Sequence, residues 1–318
     1  MTSLAKRRLD LAASMTAERL VATFKLPRPG GSLLAFELLQ SGASNLNFLL
    51  RFKGAKDPLV LRIYIREPAA WSKEVGILRA LSGVPGIPEI LDADPLGEDG
   101  PWILYRFLDG IPFQQVKRQE SNRDQGAAAH AVGVALAGIQ TAALACTSWT
   151  GHVTRPGSLA VNLDAPLLKA RLGWRRLARL HDFLADWWPR ISPLTQASGL
   201  VHGDFNNRNL LLQRTVDSWK VSGILDWEQA FLGSPLWDAA HFICYERPDQ
   251  PCREPHFSHG FSQAGGILPP DWTDFSRALN TVSAALSLSR ETTQPQFIPE
   301  LQELVAAAVD RSPSRTVG

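Results

Sequence analysis

The stretch Val201-His-Gly-Asp-Phe-Asn-Asn-Arg-Asn-Leu-Leu-Leu212 lies near the middle of the 318-residue chain, and Gly223-Ile-Leu-Asp-Trp-Glu228 follows it closely. Residues 210–213 and 219–225 are both apolar and strand-like. The polar run Arg214-Thr-Val-Asp-Ser218 between them is turn-forming, so a hairpin is expected. A hairpin brings its outer ends together. Asn209 precedes its first strand, Asp226 follows its second, and Asp204 stands just before Asn209 across a tight Asn-Asn-Arg loop. Three oxygen-bearing side chains are therefore expected at one end of the hairpin.

The roles of such a set separate by chemistry. Mg²⁺ takes hard oxygen ligands, usually a few from protein and the rest from water and phosphate. Asp226 is suited to hold a metal that bridges phosphates, and Asn209 holds one without adding negative charge. Asp204 is placed to accept or orient the proton of an incoming hydroxyl. His202 is either a catalytic histidine or, as we expect, a buried structural one.

Outside that stretch the chain divides into a β-rich front and an α-rich remainder. Thr16 to Phe24 reads as a short amphipathic helix, broken by Pro and Gly at 27–31. Strand-like runs at 33–40, 46–52 and 59–65 are separated by turn formers, which predicts an antiparallel meander. Trp71, Val75, Leu78 and Leu81 recur at helical spacing, with Gly83 and Pro85 as the stop. Another extended run covers 102–108. Helices are expected at 124–146, 167–188, 235–245, 272–288 and 298–309, and the last residues, 312–318, should fray. The expected class is α+β, with a nucleotide-binding lobe over 1–105, a hinge at 106–110, and a catalytic and substrate lobe over 111–318.

Bulk properties exclude several alternatives. With 33 basic and 31 acidic residues, the chain gives no reason to expect nucleic acid or an anionic membrane as its partner. Cys146, Cys244 and Cys252 are few, odd in number and without metal-ligand spacing, which favours a reducing cytoplasm. The N-terminus lacks the apolar core of a signal peptide. Residues 126–146 approach the length of a membrane span, but they are mostly Ala and Gly and carry His130 and Gln140, so a buried helix is expected.

The His-Gly-Asp-x-x-x-x-Asn run and the Ile-Leu-Asp-Trp-Glu run resemble the aminoglycoside phosphotransferase family, a branch of the protein-kinase-like fold. Gly203 and Trp227 stand where protein kinases carry the Arg of His-Arg-Asp and the Phe of Asp-Phe-Gly, which points to the small-molecule branch. Gly233-Ser-Pro-Leu-Trp-Asp-Ala-Ala240 is similar to the same family. The resemblance implies that Asp238 braces the catalytic loop, whereas the residues alone allow an ordinary charge near a helix N-terminus.

Within the front segment, Arg62 stands inside an apolar strand and Glu74 shares a helix face with Trp71 and Leu78. A carboxylate on a buried face needs a partner, and Arg62 is the obvious one. The pair matches the strand-Lys to helix-Glu pair that holds nucleotide phosphates in kinases, with Arg in the place of Lys. The bland reading is an edge-strand Arg and a surface Glu. The resemblance further implies that Ser44 and Asn45 cover phosphates, and that adenine bonds to the backbone at Arg106 C=O and Leu108 N–H.

These readings predict an ATP- and Mg²⁺-dependent O-phosphotransferase acting on a small hydroxylated molecule, with an aminoglycoside or amino sugar first. Alternatives are a choline-like alcohol, a nucleoside or other antibiotic, homoserine, or a nucleotide-binding regulatory protein without turnover. Protein substrates are disfavoured, because Gly233-Ser-Pro235 follows Asp226 too soon for a peptide-docking segment. A polycationic acceptor needs carboxylates. Asp182, Asp186, Glu228, Glu246, Asp249 and Glu254 are candidates, with Glu228 first, although each also reads as a solvated charge. Arg171, Arg175, Arg176 and Arg179 on the 167–188 helix argue against a uniformly acidic cleft.

Overall fold

A computed structural model describes residues 3–24, 32–39, 45–153, 161–244, 253–291 and 293–310. The breaker at 27–31, the turn residue Ser44, and Glu246, Asp249, Cys252 and the tail from 312 lie outside them. By contact the chain forms two units, neither continuous in sequence. The first gathers 1–124, 141–153 and 207–230, and the second gathers 125–140, 154–206 and 231–318. The lobe boundary read from the chain order therefore differs from the division by contact. The central hairpin and residues 111–124 belong with the first unit.

In the first unit, α1 (Ser3–Ser14) and α2 (Ala17–Thr23) precede a five-stranded antiparallel sheet. Thr16 caps α2 by accepting from the Arg19 amide at 3.1 Å, satisfying one of the unpaired donors of a first helical turn. The strands are β1 (Leu33–Leu38), β2 (Leu46–Phe52), β3 (Leu59–Ile63), β4 (Ile90–Asp94) and β5 (Trp102–Arg106), in the order β1-β2-β3-β5-β4. β3 is central and buried along its whole length, as its apolar run requires. Leu20, Phe24, Phe48, Leu50, Leu61, Ile63 and Leu104 form its core. Helix α3 (Ala70–Ala80) buries Glu74, Val75, Ile77 and Leu78.

The sheet is larger than the predicted meander. β4 was not expected, because Ile-Leu-Asp-Ala-Asp lacks a clean period-2 pattern. It is an edge strand, half exposed, with a register irregularity between Ile90 and Asp92. β1 ends at Leu38 rather than at residue 40. The first unit also holds β6 (Ile111–Pro112), the unanticipated helix α4 (Phe113–Gln119) and the start of α5 (Asn122–Ala145).

Helix α5 is long and apolar enough to cross a membrane by length and composition, and half of that window is buried inside the protein. In the second unit, α6 (Pro166–Ile191) breaks at Gly173, whose φ of 73° is left-handed. Strand β7 (Gly199–Val201) leads into the Asp204 loop. The central hairpin, β8 (Leu210–Arg214) and β9 (Trp219–Ile224), pairs with β6 in the first unit. Back in the second unit, β10 (Phe231–Gly233) pairs antiparallel with β7. It is followed by α7 (Leu236–Ile243), α8 (His256–Gln263), α9 (Trp272–Leu288) and α10 (Ile298–Val309). Helix α9 packs against α6, α7 and α10.

Candidate active site

The Asp204 loop starts where β7 ends. Val201 is buried in the β7–β10 ladder, so the chain leaves it in a fixed direction. Gly203 then takes φ 80°, a left-handed conformation that a side chain disfavours. Asp238 lies in the first turn of α7 and is 2% exposed. Its carboxylate accepts hydrogen bonds from the His202 amide at 2.7 Å and the Gly203 amide at 3.0 Å. Burial pushes Asp238 from 3.8 up to about 7, against the pull of those two donors. His202 is buried, and its Nδ1 accepts from the Asp204 amide at 3.2 Å. Its ring stands edge-on to Phe205, which packs in turn on Phe242. Asn206 donates its side-chain amide to Asp204 Oδ1 at 2.6 Å. Four consecutive residues are thus fixed by a buried carboxylate, an imidazole and edge-to-face aromatic contacts.

The first unit holds the hairpin ends. Leu210 pairs with Ile224, and the Leu225 amide donates to the Asn209 carbonyl at 2.9 Å. Asn209 and Asp226 consequently flank the same end of the ladder. Asp204 belongs to the second unit, and the chain passes from one unit to the other between Asn206 and Asn207. Asp226 has φ 71° and ψ 65°, and among the described residues it is the one non-glycine with positive φ. Such a conformation costs about 1–3 kcal/mol and gathers at functional sites.

Asp226 faces a buried charge cluster. Arg62, 5% exposed, donates from Nη2 to Asp226 Oδ1 at 2.6 Å and to Glu228 Oε2 at 2.9 Å. Its Nη2 lies 3.5 Å from Glu74 Oε2. Burial opposes the charge on Arg62, but Glu74 and Asp226 more than offset it and hold the guanidinium firmly protonated. Glu74 is raised above the ordinary carboxylate range, first by burial and, against the pull of Arg62, by Asp226 and Glu228. It accepts from the Tyr64 hydroxyl at 2.5 Å and from the Trp227 amide at 3.3 Å. Asn45 donates from Nδ2 to Glu228 Oε2 at 2.7 Å and accepts from the Ile65 amide at 3.2 Å. Lys73 Nζ donates to the Glu228 carbonyl at 3.0 Å. The carboxylates of Glu74, Asp226 and Glu228 lie within 4.8 Å of one another.

The expected acceptor contact at Glu228 is corrected by this arrangement. Its carboxylate is 9% exposed and is taken up by Arg62 and Asn45. Glu254 bonds Ser258 and Trp272, and Asp182 and Asp186 are exposed. Arg106, whose carbonyl is the expected adenine acceptor, ends β5 and pairs its side chain with Glu89. Leu108 follows it two residues on, outside the strand. Reading the sequence missed Tyr64, Lys73 and the true partner of Asn45. Tyr64 was within reach of that reading, since residues i and i+2 along an extended strand share a face and Arg62 lies 5.1 Å over its ring.

The profile of the phosphotransferase enzyme family matches residues 35–276. The chain belongs to that family. Among solved structures, a phosphotransferase of similar fold is the GDP complex of wild-type aminoglycoside 2'-phosphotransferase-IIIa. It is 16% identical with a TM-score of 0.68, over 95% of this chain and 98% of that one. Another is a thermostable mutant of aminoglycoside phosphotransferase APH(4)-Ia in a ternary complex with ADP and hygromycin B. It is 19% identical with a TM-score of 0.63, over 93% and 98%. At those identities the likeness shows the fold, which is α+β and kinase-like. Curated relatives by sequence include acyl-CoA dehydrogenase family member 10 of Mus musculus, 28% identical over 64% of this chain. The probable acyl-CoA dehydrogenase IBR3 of Arabidopsis thaliana is 35% identical over 26% of this chain. The chain spans 20% and 10% of the lengths of those two proteins.

Proposed function

We propose that this family member transfers the γ-phosphoryl group of ATP to a hydroxyl of a small molecule. The observation that carries the reading is the braced Asp204 loop, where Asp238 holds two successive backbone amides immediately before Asp204. A residue that must meet a hydroxyl at one position gains from such support, since misplacement of a catalytic group by about 1 Å can cost on the order of a hundredfold in rate. Asp204 takes or orients the acceptor proton as the hydroxyl oxygen attacks phosphorus and ADP departs.

In this reading Asn209 and Asp226 hold Mg²⁺. The donor set fits that ion, being hard oxygens at one end of a rigid hairpin with the Asp226 side chain 29% exposed. The metal, when bound, neutralises charge on the transferring phosphates. Arg62 contacts nucleotide phosphate, Asn45 with Ser44 covers it, and the backbone at Arg106 and Leu108 takes the base.

The acceptor is the finer question, and two classes have separate support. Aminoglycosides appear as ligands in complexes of similarly folded proteins. A hydroxylated acyl-CoA is favoured by the acyl-CoA dehydrogenase names of both curated relatives. An ADP-release assay over aminoglycosides, amino alcohols, nucleosides and hydroxyacyl-CoA esters tests the proposal. We expect acceptor-dependent release from one class. Nucleotide binding without acceptor-dependent release from any would favour the regulatory alternative.

A further inference from the structure

We propose that Glu228 is a positioning residue for Arg62, and that Asn45 ties both to the start of β2. The inference rests on the phosphotransferase reading and assigns a role within its nucleotide site. In that site an Arg stands where a Lys is expected, and a single facing carboxylate, Glu74, was expected to hold it. The distances divide the work differently. Glu74 sits 3.5 Å from Arg62 and spends its short contact on the Tyr64 hydroxyl at 2.5 Å. Glu228 takes Arg62 at 2.9 Å and shares that oxygen with Asn45 at 2.7 Å.

A guanidinium is larger than an ammonium and has three nitrogens in a fixed plane, so one acid that meets a single nitrogen, as Glu74 does at 3.5 Å, does not set its orientation. Here all the recorded acid contacts of Arg62 fall on Nη2. Neither Nη1 nor Nε has a hydrogen-bond partner among the described residues, and Nε is fully buried. Gripping one nitrogen with Asp226 and Glu228 fixes the plane and leaves Nη1 as the donor for a phosphate oxygen. Asp226 has its own proposed task at the metal, so the anchor with no other assignment is Glu228. Lys73 holds the Glu228 carbonyl, and Asn45 is itself held by the Ile65 amide, so the anchor is fixed at both ends.

The same bonds join three pieces of sequence that, in the proposed reading, meet the nucleotide's phosphates: the start of β2, the end of β3, and the segment after β9. A change at Glu228 should therefore act on nucleotide binding and leave the acceptor alone. This is opposite to the role that its position two residues beyond Asp226 invites.

The experiment measures ATP dissociation constants by calorimetry with saturating Mg²⁺, and steady-state constants with the acceptor found in the release assay. It uses the full chain, Glu228→Gln, Arg62→Lys and the double variant. In the Arg62 background, Glu228→Gln should weaken ATP about tenfold or more, the scale of one charge-assisted hydrogen bond. It should raise KM for ATP and leave KM for the acceptor unchanged. In the Arg62→Lys background the same substitution should cost less than about threefold, because a compact ammonium is served by Glu74 alone. A purely structural role would weaken both backgrounds alike and overturn the inference. So would an effect confined to the Mg²⁺ concentration required, which would make Glu228 a metal ligand. If Glu228→Gln does not fold, Asn45→Ala takes its place in the same four-way comparison, with the same expected and overturning results. Failure of the parent chain to bind ATP would refute the phosphotransferase reading. Normal binding with an indifferent Glu228→Gln refutes only this inference.

Discussion

Replacing Asp238 by Asn exchanges a carboxylate for an amide of the same shape at a position that is 2% exposed. The wild-type carboxylate titrates at about 7 rather than 3.8, with burial as the largest cause. Its folded value lies above its unfolded one. The stability it contributes is therefore complete below the unfolded value and is lost as pH rises to about 7. A rise from 3.8 to about 7, at roughly 1.4 kcal/mol per pH unit, amounts to about 4 kcal/mol. Asn does not titrate, so wild type should lose about 4 kcal/mol relative to the variant between about pH 4 and pH 8. Across the whole pH range the variant also leaves the His202 or Gly203 amide without its acceptor, about 1–3 kcal/mol, because an amide nitrogen now faces a backbone N–H. Set against the gain of about 4 kcal/mol, that loss leaves Asp238→Asn the more stable protein at the alkaline end by about 1–3 kcal/mol. The released Asp204 loop should meanwhile lower turnover by about tenfold to a hundredfold. Urea unfolding of both proteins across the pH range gives the difference curve. A difference that stays flat with pH would refute the assignment of a buried, charge-strained brace.

Other substitutions probe the same loop and its support. Gly203→Ala places a side chain at φ 80°, which should cost about 1–2 kcal/mol in unfolding free energy, read by denaturant midpoint. An unchanged midpoint would show that the loop relaxes freely. Phe205→Ala removes a fully buried ring packed on His202 and Phe242, so a loss of about 3–5 kcal/mol is expected, with turnover falling as His202 loses its edge contact. Tyr64→Phe leaves Glu74 without its short partner and should lower stability by about 1–3 kcal/mol, checked by thermal unfolding.

Much of the architecture was legible because periodicity and punctuation agreed. Helices α9 and α10 have the bounds their apolar spacing predicts, and the hairpin follows from two apolar runs around a polar turn. Helix α8 was not legible, since His256 to Gln263 is short and contains a glycine. The structure supplies the reason for it. A Cβ on Gly260 would lie 2.1 Å from the His130 carbonyl, and one on Gly133 would lie 2.3 Å from the Phe257 carbonyl. The two helices cross closely through glycines, a tertiary fact that a local reading takes for a break. In the candidate site, sequence spacing singled out Asp204, Asn209, Asp226, Arg62 and Glu74, of which Arg62, Glu74 and Asp226 lie in one charge cluster. It could say that Glu74 needs a partner, but not that Tyr64 would hold the short bond. Nor could it show that Glu228 would turn toward Arg62, because both choices depend on distances between strands far apart in the chain.

The central claim is direct phosphoryl transfer supported by Asp204, and following a radiolabelled γ-phosphate into the acceptor tests it most directly. Wild-type protein should form a labelled phosphomonoester. Asp204→Asn should do so slower by about a hundredfold or more, while its ATP dissociation constant stays within about threefold. Equal transfer rates in the two proteins, or nucleotide hydrolysis with no labelled acceptor, would contradict the account.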